Sequence, residues 1–239
     1  MKKLFPPVLS IARSALVILA VLFPATTTAA GATDPPKGSK SPRSESASAA
    51  RAPGDAKPSS GPMAELKKSD SALRKLFARQ PPSWSPEADA KRSEMRKIVS
   101  GFLDFDELSR RSLARHWDGL APKQRTEFVA TLRDLIERSY INQVHGSPNY
   151  DLAFENETID GIEADVTATL HSVARGKKVN VALEYKLLAK DGRWLVYDVI
   201  TDEQSMVENY RAEFNKIINK ESFDALLRRM KKKLEEKSD

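Results

Sequence analysis

A chain of 239 residues with a formal net charge of +6, a sequence pI near 9.4 and no cysteine is long enough to bury a substantial core. Without cysteine it has no disulfide framework, thiol nucleophile, Cys-ligated zinc, iron–sulfur cluster or lipidated N-terminal Cys. The basic balance points first toward an acidic partner such as nucleic acid or an anionic membrane, and where the charges sit decides whether that holds.

The chain opens with Lys2, Lys3 and Arg13, then an apolar run from Ser14 to Phe23 that Pro24 ends, then small residues with Ala-x-Ala at Ala30 to Ala32. This is the layout of a cleaved secretory signal peptide over residues 1–32, with an apolar run short of the roughly 20 residues a membrane span needs. Export follows as the expected fate. Residues 33–62 are almost entirely Pro, Ser, Ala, Gly and Lys, with no Leu, Ile, Val or aromatic residue. Nothing there can offset the entropy of folding, so the segment reads as a disordered tether ahead of a folded part at 63–239. Residues 1–63 hold eight basic residues (Lys2, Lys3, Arg13, Lys37, Lys40, Arg43, Arg51, Lys57) and three acidic ones (Asp34, Glu45, Asp55), leaving +1 for the rest. With the folded part nearly neutral, nucleic-acid binding loses its support.

From Ala64 the pattern is helical. Leu66, Leu73, Leu76 and Phe77 form one apolar face, which Pro81 and Pro82 end. Ser85–Pro86 is an N-cap and N1 pair for a second helix carrying Met95, Ile98 and Val99 up to Gly101. Asp104 caps a short third helix, with Glu107 in capping-box spacing. The longest helix spans Leu120 to Val144 with Pro122 in its first turn and a stripe of Phe128, Leu132, Leu135/Ile136, Tyr140 and Val144.

The period then switches to two. Tyr150, Leu152 and Phe154 alternate with polar or small residues, as do Ile162, Ala164, Val166, Ala168 and Leu170, and then Val179, Val181, Leu183, Tyr185 and Leu187. Arg193 to Thr201 is apolar on both faces, which predicts a strand covered on both sides. Asp160–Gly161, Arg175–Gly176 and Asp191–Gly192 are hairpin signals, so the segment reads as a four-stranded antiparallel meander. Two helices close the chain, Ser205 to Ile218 and Ser222 to Lys237.

Enzyme chemistry is not visible. His116, His145 and His171 lack metal-ligand spacing, and there is no Walker, GxGxxG or GxSxG motif. The acidic cluster Asp104, Asp106 and Glu107 fits helix capping better than paired-carboxylate catalysis. The run from Arg228 to Lys233 reads as a solvated helix face. Catalytic residues, metal ligands and cofactors are therefore all expected to be none. Patterning alone leaves open whether the sheet and helices close on a solid core or around a cavity.

Several stretches together carry a resemblance. Phe102 to Leu108 followed by Leu113-Ala114-Arg115-His116-Trp117, then Leu120 to Phe128, then Leu135-Ile136-Glu137-Arg138-Ser139-Tyr140, resemble successive motifs of one family. So do Trp194 to Val199 with Ser205 to Phe214, and the closing Phe223-Asp224-Ala225-Leu226-Leu227. The family is MlaC, the periplasmic phospholipid-binding proteins also called toluene-tolerance auxiliary proteins. The matches keep their order over about residues 65–236. Two departures stand out: Ala121 replaces a usual capping Thr or Ser, and Glu203 and Gln204 stand where a Gly often precedes the Ser.

The resemblance implies an α+β fold of the cystatin/NTF2-like kind, a curved four-stranded antiparallel sheet packed with helices around an apolar pocket. It implies a monomeric periplasmic carrier of phospholipid between outer and inner membranes, with bound phospholipid as cargo. Its partners would be an inner-membrane ABC transporter with an MCE-domain subunit and an outer-membrane lipoprotein complex. The residues expected to line the pocket are Leu170, Val181, Leu183, Tyr185 and Leu187 from the strands, Val196 and Val199 from the fourth strand, and Tyr140, Val144, Tyr210, Phe214 and Ile217 from the helices. Arg211 is the expected headgroup or partner contact. Two alternatives stand beside this reading. One is an NTF2-like enzyme using Asp198, Asp165 or His171, and the other is a filled-core adaptor domain without ligand.

Overall fold

The computed structural model describes residues 58–78, 86–143, 150–174 and 177–236. The leader, most of the tether, Pro81, Pro82, Ser85, Arg175–Gly176 and Val144 lie outside the described residues. Four helices precede the sheet: α1 (Pro62–Phe77), α2 (Pro86–Phe102), α3 (Phe105–Leu113) and α4 (Pro122–Gln143). The strands are β1 (Tyr150–Asp160), β2 (Glu163–Ala174), β3 (Lys177–Lys190), β4 (Arg193–Thr201) and a two-residue β5 (Gln204–Ser205), and α5 (Met206–Lys220) and α6 (Phe223–Glu235) follow. The sheet runs β1-β2-β3-β4-β5 with every neighbouring pair antiparallel, so the fold is α+β with the expected meander plus one short added strand. No helix among the described residues is long and apolar enough to cross a membrane.

Local chemistry explains most boundaries. Asp104 accepts from the Glu107 N–H at 3.0 Å, Ser205 from Glu208 N–H at 3.0 Å and Ser222 from Ala225 N–H at 3.1 Å, three side chains each satisfying an orphan donor of a helix start. The Asp104 box is only half closed. Its own N–H donates to Val196 O at 2.8 Å, which ties the α2–α3 corner to β4, and Glu107 turns instead to Arg110 and Arg111. At the start of α4, where Ala121 offers no hydroxyl, Gln124 accepts from the Ala121 N–H at 3.0 Å. Helix α2 runs through Gly101 to Phe102 instead of stopping there, since a glycine with open space around it need not break a helix already held by Met95 and Val99.

Asp191–Gly192 makes the two-residue turn its sequence predicts, with φ of 51° and 75° between paired Lys190 and Arg193. Between β1 and β2 the loop is Gly161–Ile162, one residue later than Asp160–Gly161 suggests. The glycine-free turn at Asp202 and Glu203 takes φ of 45° and 68°, and it is this turn that returns the chain to pair as β5. Two bulges bend the sheet, at Phe154/Asn156 in β1 and opposite Lys186/Leu187 in β4.

The helices bury their stripes against one another and against one end of the sheet. Leu66, Leu73 and Leu76 of α1, Met95 and Val99 of α2, and Phe128, Leu132 and Ile136 of α4 join Ala164, Val166, Leu187 and Val196 in one packed cluster. Its centre is aromatic: Phe128 meets Phe214 edge to face at 5.5 Å and Phe223 at 6.0 Å, while Tyr210 stacks on Phe214 at 5.3 Å. As its composition predicts, β4 is covered on both faces, with Val196, Tyr197 and Asp198 all buried in succession. Arg111 of α3 lies over the Tyr197 ring at 3.9 Å.

Candidate functional site

Strand register sorts the inner face of the sheet into rows of side chains that run across the strands. Ile159, Ala164, Leu187 and Val196 form the first row; Glu157, Val166, Tyr185 and Val199 form the second. Phe154, Ala168, Leu183 and Thr201 form the third, Leu152, Leu170 and Val181 the fourth, and Tyr150, Ser172 and Val179 the fifth. The first two rows lie under the helices: Ala164, Val166, Leu187 and Val196 belong to the packed cluster, with Tyr185 and Val199 against its border.

The third and fourth rows differ. Ala168, Leu170 and Val181 are buried, yet among the described residues they stand apart from the packed cluster. Leu152, Phe154 and Leu183 beside them are only half-buried. The rows form an apolar strip that continues past the packed cluster and is flanked by α1. Phe154 and Tyr185 mark the transition, with ring centroids 6.4 Å apart.

A polar cluster bounds the strip on the far side. The Tyr150 hydroxyl donates to Asp70 Oδ1 at 3.3 Å, and Arg74 Nε donates to Asp70 Oδ2 at 2.7 Å. A second Arg74 nitrogen donates to Tyr150 O at 3.0 Å, and the guanidinium lies 4.8 Å from the Tyr150 ring centre. Burial, with the Asp70 charge second, pushes the Tyr150 phenol up to about 12. Burial also pushes the Tyr185 and Tyr210 phenols well above their ordinary value, so all three stay neutral hydrogen-bonding groups at any physiological pH. The strip thus has an apolar floor and a rim of neutral phenol, carboxylate and guanidinium.

The expected lining residues divide between these regions. Leu170, Val181 and Leu183 sit on the strip, and Tyr185 and Val199 at its border. Leu187, Val196, Tyr210, Phe214 and Ile217 sit in the packed cluster. The Tyr140 side chain and Val144 lie outside the described residues. Arg211 is exposed, and its Nε donates to Arg111 O at 3.1 Å, tying α5 to the end of α3. Arg111 in turn pairs with Glu163 at the β1–β2 hairpin, the opposite end of the strands from Tyr150. Sequence reading passed over Asp70, Arg74, Leu152, Phe154 and Ala168. The signal for the first two was available in their i, i+4 acid–base spacing on α1.

The residues an enzyme would need are occupied elsewhere. Asp198 is buried at the start of α5, accepting from the Ser205 hydroxyl at 2.6 Å and from Val207 N–H at 3.0 Å. Asp165 pairs with Lys186 at 2.9 Å and exposed His171 meets Asn180 at 2.9 Å, both on the outer face as their alternation predicts. Among the described residues there is no group of three or more His, Cys, Asp or Glu side chains able to hold a metal ion.

Comparison with known proteins adds three findings. The family described as MlaC protein matches residues 69–232. The intermembrane phospholipid transport system binding protein MlaC of Haemophilus influenzae is 23% identical over 141 residues, 58% of this chain and 66% of that relative, so the chain spans just under two thirds of its length. The solved structure of the phospholipid-binding protein from Ralstonia solanacearum in complex with a phospholipid shares the fold, with a TM-score of 0.61 at 18% identity over 74% of this chain and 98% of that one. These relatives are described as binding and transport proteins, not as enzymes.

Proposed function

Because this chain belongs to the MlaC family, we propose that it binds phospholipid and carries it between membranes, with acyl chains lying on the apolar strip of β1 to β3. The observation that carries this reading is the strip itself: among the described residues Ala168, Leu170 and Val181 are withdrawn from water yet lie outside the packed cluster of the helices. In this reading Leu170, Val181, Leu183, Tyr185 and Val199 contact the cargo directly, while Leu187, Val196, Tyr210, Phe214 and Ile217 form the rigid wall behind it. Tyr140 and Val144 complete the set of proposed cargo contacts.

Energetics favour handover over release into water. Two acyl chains of about 30 methylenes in all would give up roughly 24 kcal/mol on leaving water, at about 0.8 kcal/mol per methylene. A bilayer offers nearly the same apolar environment, so exchange between bilayer and protein is close to balanced while the route through water is closed. Direction is then set by partners at the two membranes, an MCE-domain ABC transporter inside and a lipoprotein complex outside. We assign the carrier to the periplasm, with residues 1–32 as its export signal, residues 33–62 as its tether and Arg211 as a contact for a partner. It works without catalysis, metal or cofactor.

Native mass spectrometry of the protein purified without detergent from a bacterial host tests the reading. Phospholipid at a fixed stoichiometry supports it. A lipid-free protein that takes up none from phosphatidylcholine vesicles contradicts it.

A further inference from the structure

The strip is bordered along one side by an edge strand that is held only loosely. None of the eleven side chains of β1 is fully buried, and its last six are all exposed. Beyond its ladder to β2, β1 is held by α1, which runs alongside it. At one end Glu157 accepts from the Met63 N–H at 2.7 Å, capping a helix whose own Gly61 has no side chain to do so. At the other end Arg74 grips the Tyr150 carbonyl and ring while Asp70 takes the Tyr150 hydroxyl. Between these ties lie half-buried Phe154 and Leu152, with Lys67 Nζ 5.8 Å from the Phe154 ring centre.

Helix and strand are held differently. Leu66, Leu73 and Leu76 anchor α1 in the packed cluster, so the helix is fixed. The hydrogen bonds from α1 to β1 are polar, with half-buried Phe154 adding an apolar contact to the cluster; water can replace polar ties at small net cost, whereas it cannot replace the buried leucine contacts that hold α1. The seam between α1 and β1 is therefore the wall of the strip that separates most readily. Its centre holds the apolar side chains of Phe154 and Leu152 beside Lys67, and its hydrogen-bonded ties sit at its ends.

From this arrangement we infer that the α1–β1 seam is the portal through which acyl chains enter and leave the strip, with Arg74 as its latch. The inference rests on the phospholipid-carrier reading above. Arg74 is a positioning residue: it holds Tyr150 and the start of β1 against α1, and its release lets the edge strand swing away from the helix. The Lys67 stem and the Phe154 ring would then flank the passing chain.

The test is release of a phospholipid bearing a fluorophore on one acyl chain, from the loaded full chain into phosphatidylcholine vesicles that carry a quencher. Arg74→Gln is expected to release about fivefold faster or more at low salt. Added salt should speed the wild type toward the variant and leave the variant where it is, which general destabilisation would not reproduce. A second arm uses the absence of native cysteine. In Gly61→Cys/Glu157→Cys, where a Cβ at Gly61 lies 3.4 Å from the Glu157 carboxylate, bridging by dibromobimane should slow release relative to the unbridged pair. This arm decides the matter if Arg74→Gln does not fold. Wild-type release rates from loaded Arg74→Gln at every salt, or equal rates from the bridged and the unbridged pair, overturn the portal and leave the carrier standing. A wild type that takes up no lipid overturns the carrier itself.

Discussion

Leu187 and Leu183 lie four residues apart on the same face of β3, yet their surroundings differ completely. Leu187 is fully enclosed by Ala164, Val196 and the helices, whereas Leu183 is half-buried in a row with Phe154 and Ala168 that the packed cluster touches only through Phe154. The same β2 and β3 backbones thus carry a solid core at one end and an open apolar strip at the other. Side-chain composition does little to separate the two ends, since Leu, Val, Ala and one aromatic recur in both, beside Ile159 and Glu157 at one and Thr201 at the other. What separates them is where the helices land. Leu103 bridges to Val196, and α3 and α5 join β4, so the helical bundle is anchored to the β4 side, while α1 runs beside the rows toward Tyr150.

The largest effect that can break this comparison comes from truncation at each end. Phe214→Ala removes a fully buried ring held between Phe128 and Tyr210 and should cost about 3–5 kcal/mol in urea denaturation. Leu183→Ala should cost less than about 2 kcal/mol, because the site is already half open. Equal losses would mean that the strip is core. Next in size is Asp198→Ala, which leaves the buried Val207 N–H and the Ser205 hydroxyl without their acceptor and should destabilise by about 2 kcal/mol. Lipid stoichiometry should be unchanged in this variant if Asp198 serves only the α5 start.

Acid stability probes the packed end alone. Hydrogen bonds from Arg110, and then Arg111, lower the Glu107 carboxyl from about 4.5 to about 2. A carboxyl lowered on folding contributes stability that is full above the unfolded value and is lost as pH falls through the folded one. The wild type should therefore lose this contribution between pH 4.5 and 2, and Glu107→Gln should show a shallower decline across that window in denaturation titrations. The smallest effect is expected at α4, where Ala121→Ser supplies the missing cap hydroxyl. It should raise stability by about 1 kcal/mol, read as a shift in the urea midpoint.

Much of the packed end was legible in the sequence. Capping residues name their own helices, as Asp104, Ser205 and Ser222 do, and Asp191–Gly192 fixes its turn because both residues need positive φ. The alternation of β2 and β3 placed Asp165 and His171 outside and Leu170 and Val181 inside. Other features rest on contacts between distant segments, which no local pattern records. The β1 bulge is one, since Glu155 to Asp160 carry no alternation to extend, and β1 proves longer than its apolar part. Glu157 capping α1 across 94 residues of chain is another. The strip was the hardest to read. Leu183 and Leu187 look identical in sequence, and only the landing point of the helices makes one a candidate lining residue and the other a wall.

The central claim is that cargo lies on the third and fourth rows and not within the aromatic cluster. Loading the protein with a phospholipid that carries a photoactivatable diazirine on its acyl chain, irradiating, and mapping adducts by peptide mass spectrometry tests this directly. The account predicts adducts on peptides carrying Leu152, Phe154, Leu170, Val181 and Leu183, and none on Phe128 or Phe214. Labelling concentrated on Phe128 and Phe214, with the strands of the strip unmarked, would contradict it.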